Sequence, residues 1–592
     1  MKKSIPRPEH PRPDLCRESW LCLNGEWDFA FDEASVGESE RWELRPALDT
    51  KITVPFVYQS ELSGIADRRH SERVWYHRTF AVPAEFAGKR ILLHFGAADY
   101  KTRVWLDGQL LGEHVGGYSP FTFDITDLVA GGKKKTHSLS VMCEDSLGTE
   151  QPRGKQSFRP ENFACWYAPM TGIWQTVWLE AVGVRYIENV RITPDVDRAS
   201  VRFELYANSV PAGAKAKIEI FYKEQPVTEC TVAFTHRVAD VTVTLGHDET
   251  IEGFHYWFPH TPNLYDVRLT LLTDGGAEDT LTTYFGMRKI SVVGDHIYIN
   301  NRDFYQRLIL DQGYWKDGLL TAPSDDALKL DIELTKKLGY NGARKHQKFE
   351  DPRYLYWADK LGLVVWGELP SAYWFGYPEK RNMLRDLADA IDRDYNHPSL
   401  IAWVPLNESW GVFSIKSNPE MQKLSDMLYY TVHSLDGTRF VSANDGWEQC
   451  QSDIVTCHDY TAYGRQLKQS HYDDEVSFTL GAPSNGRTVS CDGWEENLGK
   501  PCLLTEYGGI AFTKDSGNGN WGYNGAVTDE KVFLERFDDI TTAFKNMPYL
   551  RGYCYTQLTD VFQEVNGLLD MDRNPKVSVE KIREINLRPR KI

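Results

Sequence analysis

The spacing of apolar and polar residues changes twice along the chain, and each change marks a different kind of element. Up to residue 183 the two kinds alternate between Gly, Asn and Asp turns, as in Trp75-Tyr-His-Arg-Thr-Phe-Ala-Val82 and Arg90-Ile-Leu-Leu-His-Phe-Gly-Ala97. A period of two is the signature of strands with one face buried. Thr102 to Gly112 reads as a hairpin turning at Asp107-Gly108, with Tyr118 to Thr126 as a further strand. Many short strands in about 180 residues predict a two-sheet β jelly roll over 1-183. From 184 to 288 the strands come closer together, among them Val201–Ala207, Ala216–Tyr222 and Tyr265–Leu272. Roughly seven strands in about 100 residues fit an immunoglobulin-like β-sandwich. It is expected to act as a spacer between its neighbours.

From 289 to 592 strands alternate with helical stretches, the pattern of a (β/α)8 TIM barrel. A helix is expected to start at the N-cap Ser324, carry Leu330, Leu334 and Leu338 on one face, and close at Gly339. Eight strands can be placed: Tyr305–Leu310, the segment ending in Arg344, Leu363–Glu368, Leu400–Leu406, one near Phe440, Ile454–Cys457, Pro501–Thr505 and Gly552–Thr556. Pro405 is awkward because it has no N–H for a ladder, and it is assigned to a frayed strand end.

Two of these strands end in the same way. Leu400-Ile-Ala-Trp-Val-Pro-Leu406 runs into Asn407-Glu408, and Pro501-Cys-Leu-Leu-Thr505 runs into Glu506-Tyr-Gly-Gly509. A carboxylate at the end of an apolar strand is half-desolvated, which raises a Glu pKa toward acid catalysis. Either residue alone is as well explained by an ordinary turn. The pair is 98 residues apart, which at about 38 residues per barrel unit places the two on strands four and seven, at the C-terminal mouth.

Composition narrows the choice of partner. There are 67 basic and 84 acidic residues, a net charge of −17, with no basic cluster dense enough to follow a phosphate backbone, so nucleic acid is not an expected partner. The 18 Trp, 30 Tyr and 27 Phe suit the C–H faces of sugars as well as ordinary cores. Ten scattered cysteines without a C-x-x-C pair read as reduced thiols. No apolar run reaches 18 residues and Met1-Lys-Lys-Ser-Ile-Pro6 lacks an apolar leader. A soluble cytoplasmic protein with no membrane partner is expected, and homo-oligomer formation is left open.

Two glutamates in unlike surroundings can divide the work of cleaving a glycosidic bond. Asn407 is placed to bond a sugar hydroxyl, Arg344 at the end of strand two to sit against Glu506 and keep it ionised, and Tyr460 after strand six to do likewise. Asp311, His346, Trp374, Trp447, His458 and Asp560 are further candidates for sugar binding, though a structural role is the commoner one for any of them alone. The sequences Trp403-x-x-x-Asn407-Glu408, Leu504-Thr-Glu506-Tyr-Gly, Asn341-Gly-Ala-Arg344, Phe285-Gly-Met-Arg288 and Asn566-Gly-Leu-Leu-x-x-x-Arg573-x-Pro-Lys576 resemble glycoside hydrolase family 2. That family contains β-galactosidases, β-glucuronidases and β-mannosidases. Trp20-Leu-Cys-Leu-Asn-Gly-Glu-Trp27 and Met170-Thr-Gly-Ile-Trp174 resemble its sugar-binding jelly roll. The resemblance implies a retaining exo-β-glycosidase with Glu408 as acid/base and Glu506 as nucleophile.

Departures from the family pattern bear on the substrate. The Asn-x-Lys signature by which β-glucuronidases hold a sugar carboxylate is expected before Gly567, but the stretch reads Gln563-Glu-Val-Asn-Gly567 with no lysine. The magnesium site of large β-galactosidases uses a carboxylate at the Glu368 position and a His where this chain has Pro370, so no metal is expected, nor any other cofactor. The histidine of the family's strand-two Arg-x-x-His falls at Gln347, with His346 one place early, and the tryptophan often found on strand eight is Tyr555. A glycan or glycoside ending in a neutral β-linked sugar is expected, galactose first, then arabinopyranose, glucose or mannose, with glucuronide behind. The other classes weighed are a non-catalytic carbohydrate-binding protein on this scaffold, which the intact Asn407, Glu408 and Glu506 disfavour, and a metallohydrolase, for which the 16 histidines show no ligand spacing.

Overall fold

In the computed structural model residues 5–129, 135–245, 254–374, 376–467, 472–482, 486–513 and 520–591 are described. Met1 to Ser4, read above for a leader, lie outside them. The alternating segments near the amino terminus form a six-stranded antiparallel sheet in the order Thr50–Val54, Gly25–Phe31, Arg73–Phe80, His137–Glu144, Lys101–Leu106, Gln109–Val115. A four-stranded sheet in the order Trp20–Cys22, Val177–Val182, Arg90–Phe95, Phe121–Asp124 lies against it. Trp27, Phe29, Tyr76, Leu93, Phe95 and Val141 share the core between them. The hairpin turns where its sequence requires, with Leu106 opposite Gln109 and both Asp107 and Gly108 at positive φ, 52° and 80°.

The next seven strands make an immunoglobulin-like sandwich, with Ile187–Asp195, Ser200–Ala207 and Val238–Thr244 facing Gln225–Ala233, Lys215–Tyr222, Tyr265–Thr273 and Gly276–Phe285. It is not the only link between the outer domains. Tyr118, Tyr167 and Trp174 of the jelly roll lie in one continuous core with Tyr314, Trp315 and Leu320 of the barrel, and Thr321 donates to the Trp174 carbonyl at 2.6 Å.

The barrel strands are β1 (Gln306–Asp311), β2 (Gly342–Lys345), β3 (Val364–Glu368), β4 (Leu400–Val404), β5 (Phe440–Val441), β6 (Val455–Asp459), β7 (Cys502–Gly508) and β8 (Leu550–Thr556). They form one parallel sheet in the order β5-β4-β3-β2-β1-β8-β7-β6. Its two ends meet through Asp453 N to Val441 O at 3.0 Å and His458 N to Gly446 O at 3.3 Å. A small antiparallel meander over Ile290–Asp303 adds Ile297 and Ile299 to the apolar barrel interior of Leu308, Trp366, Ile401 and Leu503. The first barrel helix, Asp325–Lys337, is capped by Ser324, whose side chain accepts from Ala327 N. Its buried face runs through Leu328, Ile332 and Thr335, spaced i, i+4, i+7. Of the expected face, Leu338 is buried and Leu334 packs against the core, but Leu330 lies about 200° away from Leu328 at 100° per residue and is 41% exposed.

Arg288, in the link from sandwich to barrel, is buried and donates to the carbonyls of Pro398 at 3.1 Å, Leu400 at 3.0 Å and Thr438 at 3.1 Å, around the start of β4 and β5. Replacing it by Met leaves the Pro398 and Thr438 carbonyls without a donor, while Leu400 O keeps Arg439 Nε at 2.8 Å, an expected loss on the order of 2 kcal/mol. Thermal and urea unfolding of the full chain should show it, and an unchanged midpoint would mean those carbonyls are satisfied otherwise.

Candidate active site

The apolar strand β4 stops at Val404 because Pro405 cannot continue the ladder, and the chain steps sideways. Leu406–Asn407 then pairs in parallel with Asn444–Asp445, a two-residue extension outside the main sheet. Glu408 and Ser409 follow at φ 55° and 58°, a left-handed conformation costing about 1 kcal/mol or more each for residues other than glycine. The turn is held by Glu408 N to Asp445 O at 2.9 Å, Ser409 N to Asn444 Oδ1 at 2.9 Å and Ser409 Oγ to Glu448 Oε2 at 2.7 Å. It leaves the Glu408 side chain 20% exposed over the barrel mouth.

Glu506 needs no such turn. It lies within β7, 4% exposed, and its carboxylate accepts from Tyr460 Oη at 2.5 Å, with Arg344 Nη1 at 3.5 Å. The Tyr460 ring is stacked on Tyr523 with centroids 3.4 Å apart. Gly509, at φ 54°, makes room for both rings, since a Cβ there would lie 2.3 Å from Tyr523 Cδ2. Carboxylate oxygens of Glu408 and Glu506 and a ring nitrogen of His458 lie within 4.8 Å of one another. No other His, Cys, Asp or Glu group among the described residues is compact enough for a metal ion.

His458 governs the protonation of this group. Its Nδ1 is 2.8 Å from Glu408 Oε1 and 3.5 Å from Glu506 Oε2, while Nε2 is 2.9 Å from Asp445 Oδ2. Burial alone would make the ring neutral, but Glu506, Asp445 and Glu408 push its pKa up to about 10, so it is an imidazolium. Burial likewise pushes Glu408 up, yet its hydrogen bond to His458 and the charges of His458 and Lys155 bring it down to about 2. A carboxyl raised by desolvation is therefore not what stands at residue 408; the proton rests on the neighbouring histidine.

Beneath the pair, fully buried Arg344 makes Nε to Glu368 Oε1 at 2.6 Å, Nη1 to Asp445 Oδ2 at 2.7 Å, Nη1 to the Thr505 carbonyl at 2.6 Å and Nη2 to Asn407 Oδ1 at 3.2 Å. Glu368 takes two more bonds on its other oxygen, from His346 Nδ1 at 3.0 Å and Gln347 N at 3.1 Å. Three of its roughly four acceptor positions are thereby filled. Asn407 Nδ2 is buried with no partner, an unused donor beside Glu408.

The structure thus brings Asn407, Arg344, His346, His458 and Tyr460 to the two glutamates, and Trp447 packs edge-on to His458 at 5.6 Å. For the other three, no contact with either glutamate is seen among the described residues. Asp311 is paired with Lys345 at 2.9 Å, Asp560 with Lys576 at 2.6 Å, and Trp374 is 59% exposed. Asp445, Tyr523, Lys155 and Glu564 join the site without having been anticipated. Asp445 carries the same signal as the glutamates, an acid just beyond strand β5. Lys155 carries none, because it comes from the jelly roll.

The family comparisons cover most of the chain. Residues 21–179 match the model for the sugar binding domain of glycosyl hydrolases family 2, residues 185–288 a second model of that family, and residues 290–588 its TIM barrel domain. A β-glucuronidase of Paenibacillus borealis is 27% identical over 536 residues, 85% of each chain. A β-galactosidase of Thermoanaerobacter pseudethanolicus is 28% identical over 397 residues, 65% of this chain and 50% of that protein. The fold is also that of the solved Ruminococcus gnavus β-glucuronidase, with TM-score 0.78 and 17% identity over 98% of this chain and 100% of that one. The Lactobacillus rhamnosus β-glucuronidase gives 0.77 and 20% over 97% and 98%. With three matches of one family laid end to end and the carboxylate pair at the mouth of the third, the chain belongs to glycosyl hydrolases family 2 and is a glycoside hydrolase.

Proposed function

We propose that this hydrolase removes a terminal neutral β-linked sugar, β-galactoside first, by double displacement with Glu506 as nucleophile and Glu408 as acid/base. The observation that carries the reading is the closeness of the two carboxylates, one oxygen of each lying within 4.8 Å of the other. A retaining enzyme keeps them about 5 to 5.5 Å apart, while an inverting one needs about 6.5 Å or more to seat a water between them. Glu506 attacks the anomeric carbon as the glycosidic bond breaks, and the leaving oxygen takes a proton from Glu408. Water then attacks the glycosyl ester while Glu408 takes its proton, and the β configuration is restored.

The proton that Glu408 donates has a source 2.8 Å away, on His458 Nδ1. The charge of Glu506, with Asp445 and Glu408, helps to hold it there. As Glu506 becomes an ester its charge disappears, His458 becomes more acidic, and the proton passes through Glu408 as the leaving oxygen gains charge. Asn407, with its unused Nδ2, is suited to a hydroxyl next to the reacting carbon.

For a neutral sugar speaks the buried Glu564, which stands in the stretch where a β-glucuronidase is expected to carry its lysine and accepts from Tyr167 Oη at 2.7 Å and Asn566 Nδ2 at 3.1 Å. A uronate would meet this carboxylate. The second reading, a β-glucuronide, is favoured by the names of the relatives in Paenibacillus and Ruminococcus. A panel of nitrophenyl α- and β-glycosides, including the β-galactoside and β-glucuronide, separates the two.

Glu506→Ala should abolish hydrolysis of aryl β-glycosides while the melting temperature stays close to wild type; full activity would remove Glu506 as nucleophile. Glu408→Ala should lose roughly 10²- to 10⁴-fold on poor leaving groups and much less on activated ones, with partial rescue by azide. Equal losses on both would count against the acid role. Because the imidazolium is the proton source, and its value is raised, kcat/KM should persist past the ordinary histidine value of about 6.5 and fall as pH rises toward about 10. In His458→Gln the alkaline limb should move to lower pH, and an unmoved limb would mean the proton comes from elsewhere.

A further inference from the structure

The carboxyl of Glu408 stands on a turn that its own sequence does not favour. Glu408 and Ser409 are consecutive at φ 55° and 58°, and neither is a glycine, so this backbone has to be imposed by its surroundings. Ser409 is where that happens. Its N–H donates to Asn444 Oδ1 at 2.9 Å, its hydroxyl accepts from Asn444 Nδ2 at 3.1 Å, and the same hydroxyl donates to Glu448 Oε2 at 2.7 Å. Two residues on, the turn runs close against the loop and helix that follow β3. At Gly411 a Cβ would lie 2.5 Å from Glu379 Oε1 and 3.0 Å from the Ala372 carbonyl oxygen.

The two residues that hold Ser409 are themselves fixed. Asn444 is fully buried, and its Nδ2 also donates to the Trp447 carbonyl at 2.8 Å. Glu448, at φ 49°, is pinned by the connection between β6 and β7. Glu448 N donates to the Thr488 carbonyl at 2.8 Å, Gln449 N to the Val489 carbonyl at 2.8 Å, and Cys491 N to the Gln449 carbonyl at 3.0 Å. Cys491 Sγ donates to the Glu448 carbonyl at 3.1 Å, and Arg487 Nη1 reaches the Glu448 carboxylate at 3.4 Å. The turn after β4 is thus braced by residues 35 and 39 positions later, which a third segment holds in turn.

We propose that Asn444 and Glu448 are positioning residues for the acid/base step, clamping Ser409 from two sides so that the Glu408 carboxyl stays where it meets both His458 and the leaving oxygen. The inference rests on the double-displacement reading above and adds to it two residues that act on the reacting atoms only through Ser409. Released from the clamp, residues 408 and 409 relax toward negative φ, and the carboxyl leaves the place where its Oε1 lies 2.8 Å from His458 Nδ1. A displacement of about 1 Å at a proton donor is enough to cost roughly 100-fold in rate. The penalty falls on the proton transfer and spares the attack by Glu506, whose strand is not part of the clamp.

The test uses the full-length enzyme and aryl β-glycosides of the sugar it hydrolyses best, from a dinitrophenyl leaving group, which needs no proton, to phenyl, which does. Asn444→Ala and Glu448→Ala are each expected to lose roughly 10- to 100-fold in kcat/KM on the phenyl glycoside and less than about threefold on the dinitrophenyl one. Glu448→Gln keeps an acceptor for the Ser409 hydroxyl and should return to within about threefold of wild type. In the double variant Ser409→Ala/Glu448→Ala the loss should equal that of Ser409→Ala, because both changes remove one hydrogen bond. Equal losses on both leaving groups, with a lowered melting temperature, would make the contacts an ordinary structural tie and overturn the proposal. So would losses that multiply in the double variant, or a Glu448→Gln as slow as Glu448→Ala. Should Asn444→Ala fail to fold, the Ser409 and Glu448 variants decide the matter alone. A Glu408→Ala that loses equally on both leaving groups overturns the acid reading beneath the clamp, and is distinguishable because it does not involve Asn444 or Glu448.

Discussion

The barrel mouth depends on one guanidinium. Arg344 has no exposed surface and stands among Glu368, Asp445 and Glu506. Burial pushes the Glu368 and Asp445 carboxyls up, toward taking a proton and rotating away from their partners. Arg344 prevents this by distributing donors. Nε faces Glu368, Nη1 faces Asp445 and the Thr505 carbonyl, and Nη2 faces Asn407. A lysine has one point of charge and could not span four strands in this way. The guanidinium lies at the end of β2, and its partners end β3, follow β5, sit in β7 and follow β4. It fixes the relative heights of five strand ends, and so the distance between the two glutamates.

That distance is also shaped from outside the barrel. The first domain enters the site through the segment around residues 153–167, held to the β3 loop by Ser371 and Tyr373 and to the β8 loop by Gln563 and Glu564. Arg288 anchors the sandwich link at the base of β4. The three domains therefore act as one body around the cleft. An isolated barrel would lose Lys155, and with it one of the cations that depress Glu408.

Much of this was legible in the order of residues. A parallel barrel strand is apolar on both faces and ends where it reaches solvent, so Leu400–Glu408 and Pro501–Glu506 announced both the strands and the carboxylates. Pro405, which looked like an obstacle, proves to be the cause of the turn: it ends β4 one step early and lets Leu406–Asn407 shift onto Asn444–Asp445. What local pattern does not carry is which side chain at a strand end faces inward. Asp311 and Arg344 both end strands, yet one is turned toward Lys345 and the other into the cleft. Nor does it carry charge states, which depend on residues far apart in the chain. Glu408 looked like a raised acid because burial was the only influence visible around it, and His458, 50 positions later, reverses the sign.

That reversal changes what the acid in this site must be. A glutamate raised by an apolar pocket stores its own proton and gives it up against the cost of creating a buried charge. Here the charge already exists, shared among Glu408, Glu506, Asp445 and the imidazolium they surround, so moving the proton from His458 to Glu408 turns one ion pair into two neutral partners without desolvating anything new. In the mechanism proposed above, the energy needed would fall as Glu506 bonds to the anomeric carbon, because part of the attraction that held the proton on His458 would weaken in step with bond formation. The two residues proposed as nucleophile and acid are linked through one ring nitrogen lying within 3.5 Å of both carboxylates. On the proposed mechanism a histidine at this point would tie the timing of proton donation to the progress of attack, a coupling that a solitary raised glutamate would lack.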